Sequence, residues 1–165
     1  MTNEDGRCWI VFNGEVYNHR SLRPVLEARG HRFKTSSDTE AILHAWEEYG
    51  PRCVDHLEGM FAFAIYDERT QQFFAARDRL GKKPFFYTIA NGILHFASEL
   101  PALAVSPWWK GEVDLDALEG YLSLGYFVAP ATVFRNVHKP MPGHTLHVGD
   151  GDVRIPQYWD ATEVD

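Results

Sequence analysis

The chain has 165 residues, 45% of them hydrophobic and 14% aromatic, enough apolar mass for one compact domain with a buried core and too much for a disordered tail. Its 16 basic and 23 acidic residues give a net charge of −7 with no basic stripe, which excludes nucleic acid as an expected partner. No apolar run is long enough to span a bilayer, and Met1 to Arg7 is polar rather than signal-like, so no membrane association and a cytoplasmic location are expected.

Taken in chain order, Trp9 to Phe12 reads as a short strand ending in an Asn13-Gly14 turn. Leu22, Val25 and Leu26 then recur at helical spacing between His19 and Arg29, closed by Gly30. His31 to Thr35 is a candidate strand. Ser37 or Asp38 can cap a helix that runs to about Tyr49, with Ile42, Leu43 and Trp46 on its apolar face, until Gly50-Pro51 ends it. Four apolar runs follow, 60–67, 72–77, 85–89 and 93–97, and read as an antiparallel meander in which Phe61, Phe63, Phe73 and Phe74 are core. Val105 to Gly111, with Trp108 and Trp109, reads as a loop. Leu115 to Leu124 reads as a helix, and Thr145–Val148 with Val153–Ile155 as a last hairpin around Gly149-Asp150-Gly151. Helices flanking a mainly antiparallel sheet system make an α+β fold.

Two cysteines, Cys8 and Cys53, are too few for a disulfide framework and fit a reduced compartment. Cys53 and His56 share an i, i+3 spacing, but no second pair completes a four-ligand zinc set, so no metal site is expected. Asn13-Gly14-Glu15 at a strand end is open to two readings. It is a tight turn by its composition, or a place where a side-chain amide and a backbone N–H converge on one oxygen. Asp38 is likewise a helix cap on spacing alone. Arg77-Asp78, with Gly81 and Pro84, reads as a pair that fixes a turn through charge-assisted hydrogen bonds.

Five ordered segments narrow this: Asn13-Gly14-Glu15-Val16-Tyr17-Asn18-His19, Ser36-Ser37-Asp38-Thr39-Glu40, Glu58-Gly59-Met60-Phe61-Ala62-Phe63-Ala64, Arg77-Asp78-Arg79-Leu80-Gly81-Lys82-Lys83-Pro84 and Ala97-Ser98-Glu99. In order and spacing they resemble the type II glutamine amidotransferase domain of glutamine-hydrolysing asparagine synthetases, from about Asn3 to Trp159. The resemblance implies an αββα sandwich of the N-terminal-nucleophile hydrolase type and a glutaminase that releases ammonia for ATP-dependent amide formation. It also implies that the Asn13 amide and the Gly14 N–H form the oxyanion hole, and that Glu15 and Asp38 hold the α-ammonium of L-glutamine. Two converging carboxylates suit a free amino acid, whose amino group is cationic.

Family members attack glutamine with an N-terminal cysteine whose own amino group is the base. Here Met1-Thr2-Asn3 stands first and Cys8 lies inside a strand-like run, so the fold is expected to be incomplete at its N-terminus and the chain to be inactive alone. Thr2 is a weaker alternative nucleophile. On this reading residues 1–128 are the glutaminase domain, and 129–165 its end and exit toward a synthetase domain or subunit. That partner would hold ATP and Mg; no cofactor is expected in this chain. Sheet edges left unpaired would favour self-association. A non-catalytic module that senses glutamine or docks on a synthetase is the alternative.

Overall fold

A computed structural model describes residues 1–149 and 151–162. It is an α+β structure that divides into two compact units, Met1–Lys83 with the chain from Pro142 onward, and Pro84–Met141. This is a partition by packing. The division at 128/129 concerned where the glutaminase part of the chain gives way to the exit toward a partner.

The first unit is built on a five-stranded antiparallel sheet. Its strands are β1 (Cys8–Val16), β2 (Gly59–Asp67), β3 (Gln72–Arg77), β6 (Thr145–Gly149) and β7 (Asp152–Arg154), in the order β1-β2-β3-β6-β7. Asp150, placed in the expected hairpin turn between the last two, lies outside the described residues. Alternation decides the buried face. Cys8, Ile10 and Val16 of β1, Phe61, Phe63 and Ile65 of β2, and Phe74 and Ala76 of β3 point to one side, where they meet Leu22, Leu26, Ile42, Leu43 and Trp46. Those last five come from α1 (His19–Ala28) and α2 (Asp38–Tyr49). Trp46 stacks on Phe74 at 4.6 Å between ring centroids.

Several expectations need correction. Asn13-Gly14 is no turn: β1 pairs with β2 without a break from Cys8↔Asp67 to Val16↔Gly59. The glycines serve close approach instead. At Gly14 (φ +146°) an added Cβ would overlap the Met60 carbonyl, and at Gly59 (φ +157°) the Glu15 carbonyl, so each strand leaves room for the other's backbone. His31 to Thr35 is not a strand, because the Lys34 and Thr35 N–H groups donate to the Glu40 carboxylate at 2.6 and 2.7 Å. The α2 cap is Ser37, whose Oγ accepts from the Glu40 N–H at 3.2 Å; Asp38 is the first helical residue. A 3₁₀ segment, Gly50–His56, follows α2 directly and carries the buried Cys53, while His56 stacks on Tyr49.

The four-run meander is also divided. β3 pairs with β6, while β4 (Phe86–Ala90) and β5 (Ile93–Ala97) pair as a separate ribbon in the second unit. That unit continues through α3 (Leu100–Ala104), the loop in which the Trp108 indole N–H donates to His95 Nδ1 at 3.1 Å, and α4 (Leu115–Leu124), capped by Asp114. No helix among the described residues is long and apolar enough to cross a membrane.

The turn after β3 is where the first unit is most tightly tied. Asp78, 1% exposed, accepts four backbone N–H groups: Leu80 and Lys82 on Oδ1, Phe61 and Lys83 on Oδ2, at 2.9 to 3.2 Å. Arg77 closes the same loop by donating to the Lys83 and Gly81 carbonyls at 2.9 and 2.7 Å. Each side chain thus grips backbone, and together they fix the turn. Asp78→Ala is expected to cost about 3–5 kcal/mol, since it strands four donors in a buried site. Urea unfolding of the variant checks this, and a loss below about 1 kcal/mol would show that water replaces the carboxylate freely.

Candidate functional site

Within β1, backbone direction alternates. Ile10 exchanges both of its backbone bonds with Met1, on the side away from β2, and Asn3 donates its N–H to the Cys8 carbonyl on that same side. Phe12 and Gly14 share this parity, so their N–H groups also point off the sheet edge. The partner strand agrees: Phe61, opposite Gly14, sends its own N–H and C=O to Asp78 and not to Gly14. Met1 to Asn3 therefore cover the edge along Cys8 to Ile10, and among the described residues no backbone partner covers the stretch from Phe12 to Gly14.

Asn13 and Glu15 sit on the other parity, with their backbones paired to Ala62 and Met60 and their side chains on the more exposed face of β1. The Gly14 donor at the edge is thus flanked by an amide and a carboxylate that share one face. Asp38 is brought to this end of the strand by its own bonds: Oδ2 accepts the Val16 N–H and Oδ1 the Thr39 N–H, both at 2.9 Å. Each oxygen keeps acceptor capacity for a further donor. Asp38 is thereby fixed against the residue next to Glu15.

The chain leaving β1 is held by residues whose roles the sequence did not reveal. The Asn18 amide donates to the His56 carbonyl and accepts the Glu58 N–H, and His19 Nδ1 meets the Val16 carbonyl at 2.8 Å. The Glu40 clamp on Lys34 and Thr35 was also missed, although Ser37 and Glu40 stand at capping-box spacing, the one signal that marked it. Burial opposes ionisation of Glu40, but the bonds from Lys34 and Thr35 outweigh it and hold the carboxyl below its usual range. Neither cysteine is a nucleophile at this site. Cys8 is fully buried, and burial together with Asp67 and Glu47 pushes its thiol up to about 12; burial raises Cys53 further.

Two outcomes follow from this geometry. Gly14→Ala is expected to destabilise by about 3 kcal/mol or more, combining positive-φ strain with overlap on a backbone carbonyl, while Asn13→Ala stays within about 0.5 kcal/mol. Thermal denaturation compares the two, and equal losses would mean that the close approach of the strands is not what Gly14 provides. Native Cys8 and Cys53 should resist iodoacetamide at neutral pH and react on unfolding, as mass spectrometry would show; rapid native labelling of Cys8 would contradict its burial.

Residues 1–159 match the family model of the glutamine amidotransferase domain. Among curated proteins, the chain is 44% identical to asparagine synthetase [glutamine-hydrolyzing] 3 of Bacillus subtilis, over 92% of this chain and 25% of that protein. It is 36% identical to putative asparagine synthetase [glutamine-hydrolyzing] 2 of Methanocaldococcus jannaschii, over 93% and 30%. The chain thus spans about a quarter of the length of the curated relatives it matches. Among solved structures it resembles glutamine phosphoribosylpyrophosphate amidotransferase from B. subtilis, complexed with ADP and GMP, with TM-score 0.63 and 21% identity over 96% of this chain and 31% of that one. It also resembles a glutamine aminotransferase class-II domain protein from Silicibacter pomeroyi, with TM-score 0.52 and 16% identity over 94% and 68%. These likenesses establish the fold as that of the N-terminal-nucleophile amidotransferases, and the family match establishes membership: the chain belongs to the glutamine amidotransferase domain family, with glutamine-hydrolysing asparagine synthetases among its relatives.

Proposed function

We propose that this chain is the glutamine-handling part of an asparagine synthetase-like amidotransferase, releasing ammonia from L-glutamine for an ATP-dependent amide-forming partner. The observation that carries the reading is the open edge at Gly14, with Asn13 and Glu15 on one face beside it and Asp38 bonded to Val16. A glutamine carboxamide oxygen at that edge would meet the Gly14 N–H and the Asn13 amide, donors that strengthen as negative charge develops on the oxygen. Glu15 and Asp38 would take the α-ammonium at the other end of the substrate. The nucleophile in this reading is the N-terminal cysteine that the resemblance implies; buried Cys8 and Cys53 do not replace it. ATP and Mg belong to the synthetase portion, and the unpaired, buried state of both cysteines supports a reducing, cytoplasmic location.

The partner's docking face in this proposal is α4. None of its residues is buried, and Leu115, Tyr121, Leu122 and Leu124 are exposed along it, with Tyr126 and Val128 just beyond. Such a patch on a lone surface marks an interaction site. The relatives' greater length supports a synthetase portion as its occupant. The open edge from Phe12 to Gly14 supports self-association of the chain when no partner strand or ligand covers it.

Glutamine titration by calorimetry or NMR tests the substrate roles. Binding should be weak, because the oxyanion donors act only in the transition state. Asp38→Asn or Glu15→Gln should each weaken it at least about tenfold, a charge-assisted contact being worth about 1.5–3 kcal/mol, while Asn13→Ala changes it little. Loss of binding with Asn13→Ala and retention with Asp38→Asn would show the roles to be wrong. For the docking face, Leu122→Glu should leave unfolding free energy within about 0.5 kcal/mol and abolish association with a synthetase portion supplied in trans, read by co-purification. Undiminished association would move the interface off α4.

A further inference from the structure

Along α2, the first unit gathers a second set of groups, none of them among the residues at the Gly14 edge. His44 is 1% exposed in the middle of α2, and its Nδ1 lies 3.0 Å from Glu47 Oε2 one turn on. The same Glu47 oxygen is 3.8 Å from Nδ1 of His31, in the segment after α1, and Glu4 Oε2 from the N-terminal hairpin lies 4.0 Å from His44 Nδ1. One donor atom from each of His31, His44 and Glu47 lies within 4.8 Å of the other two. Two imidazoles and one carboxylate converge from two segments, with a second carboxylate at the rim.

What separates this from an ordinary histidine–glutamate pair is the arrangement behind the ligands. Each histidine turns one nitrogen to the shared Glu47 and the other to a different carboxylate: His31 Nε2 to Glu48 Oε2 at 3.2 Å, and His44 Nε2 to Glu40 Oε1 at 3.8 Å. The ligating carboxylate is held as well, since Glu47 Oε1 accepts from the Asn3 amide at 2.6 Å. Metal-bound histidines are backed in this way, the outer carboxylate fixing the tautomer and raising the basicity of the ligating nitrogen. His44 Nε2 is moreover a buried nitrogen without a hydrogen-bond partner. With a proton shared between His44 Nδ1 and Glu47 it has no defined task; with Nδ1 on a cation it must carry the proton, and Glu40 faces it.

We infer that His31, His44 and Glu47 form a zinc site, with Glu4 as the fourth donor, that pins the N-terminal hairpin and the segment after α1 to α2. Ligand atoms around a tetrahedral zinc stand about 3.3 Å apart, given metal–ligand distances near 2.0–2.2 Å. Separations of 3.0, 3.8 and 4.0 Å reach that set by side-chain rotation. Imidazole and carboxylate together suit zinc rather than magnesium or calcium, which prefer oxygen alone. Four carboxylates, Glu4, Glu40, Glu47 and Glu48, surround the two rings, and the paired cation among them is Arg29, bonded to Glu48 on the outer side. The site is separate from the proposed glutamine pocket and stands or falls without it.

The test is zinc titration of the EDTA-stripped full chain by calorimetry, with thermal denaturation alongside. One equivalent should bind and raise Tm, and cobalt(II) should give a visible spectrum that zinc abolishes. His31→Gln and Glu47→Gln, checked for fold by circular dichroism, should each weaken zinc at least tenfold, and Glu48→Gln about 10–100-fold through His31. On the unaltered chain, histidine ¹⁵N spectra should place the metal on Nδ1 of both His31 and His44, a readout that needs no variant to fold. A folded parent chain that takes up no zinc overturns the proposal. So does binding that survives His31→Gln but is lost in Cys53→Ser or His56→Gln, or a His44 imidazole whose ¹⁵N shifts ignore added zinc.

Discussion

The ladder between β1 and β2 is the constraint from which the rest follows. Its register runs unbroken for nine pairs and ends where two glycines, Gly14 and Gly59, let the backbones come closer than any side chain allows. One strand's position depends on the other's, and β2 is itself fixed from its far side by Asp78, which takes the Phe61 N–H directly opposite Gly14. Strand alternation turns the Gly14 N–H off the edge and the Phe61 backbone groups toward Asp78. The buried carboxylate after β3 and the Gly14 N–H of β1 thus lie on either side of one ladder.

This explains which parts of the fold were legible in the sequence. Periodicity marks α1, α2, α4 and the cores of β2 and β3, because burial on one face imposes the 3.6 and 2.0 spacings directly. It fails at Asn13-Gly14, where a residue pair selected for turns is used for close backbone approach. It fails again between β3 and β4, since four similar apolar runs carry no mark of which neighbours pair; β3 pairs with β6, some seventy residues on, and local pattern holds nothing of that distance.

For the candidate site, the motif residues were named by resemblance, and their physical settings came only with the fold. Asp38 read as a cap and is instead the anchor of the Val16 N–H. Arg77 and Asp78 read as a pair that fixes a turn and do so, each by gripping backbone of the same loop. Asn18 and Glu47 had no visible role, because each ties down a segment remote in sequence, and a single polar residue gives no hint of a partner about 40 positions away. His44 and Glu47 stood at i, i+3 in a clear helix pattern, a readable pair whose third member, His31, only the fold supplies.

Ser37, Asp38, Glu40, His44 and Glu47 have in common that they lie on α2 or cap it. Ser37 caps it, Asp38 ties its first turn to β1, Glu40 gathers Lys34 and Thr35, and His44 with Glu47 reaches Asn3, Glu4 and His31. The helix buries its apolar face on the sheet and spends its remaining side chains on the loops around it, so those loops have little independent freedom. Burial disfavours charge on Glu47, yet its bonds to His44 and Asn3 hold the carboxyl below its usual range, and Glu47, Glu4 and Glu40 raise His44 although burial opposes it. The end of α2 that approaches Glu15 and the middle that holds His44 thus belong to one rigid element. Asp38 and His44 stand on that one helix, so the bond to Val16 at its start and the loop contacts at its middle share a single element.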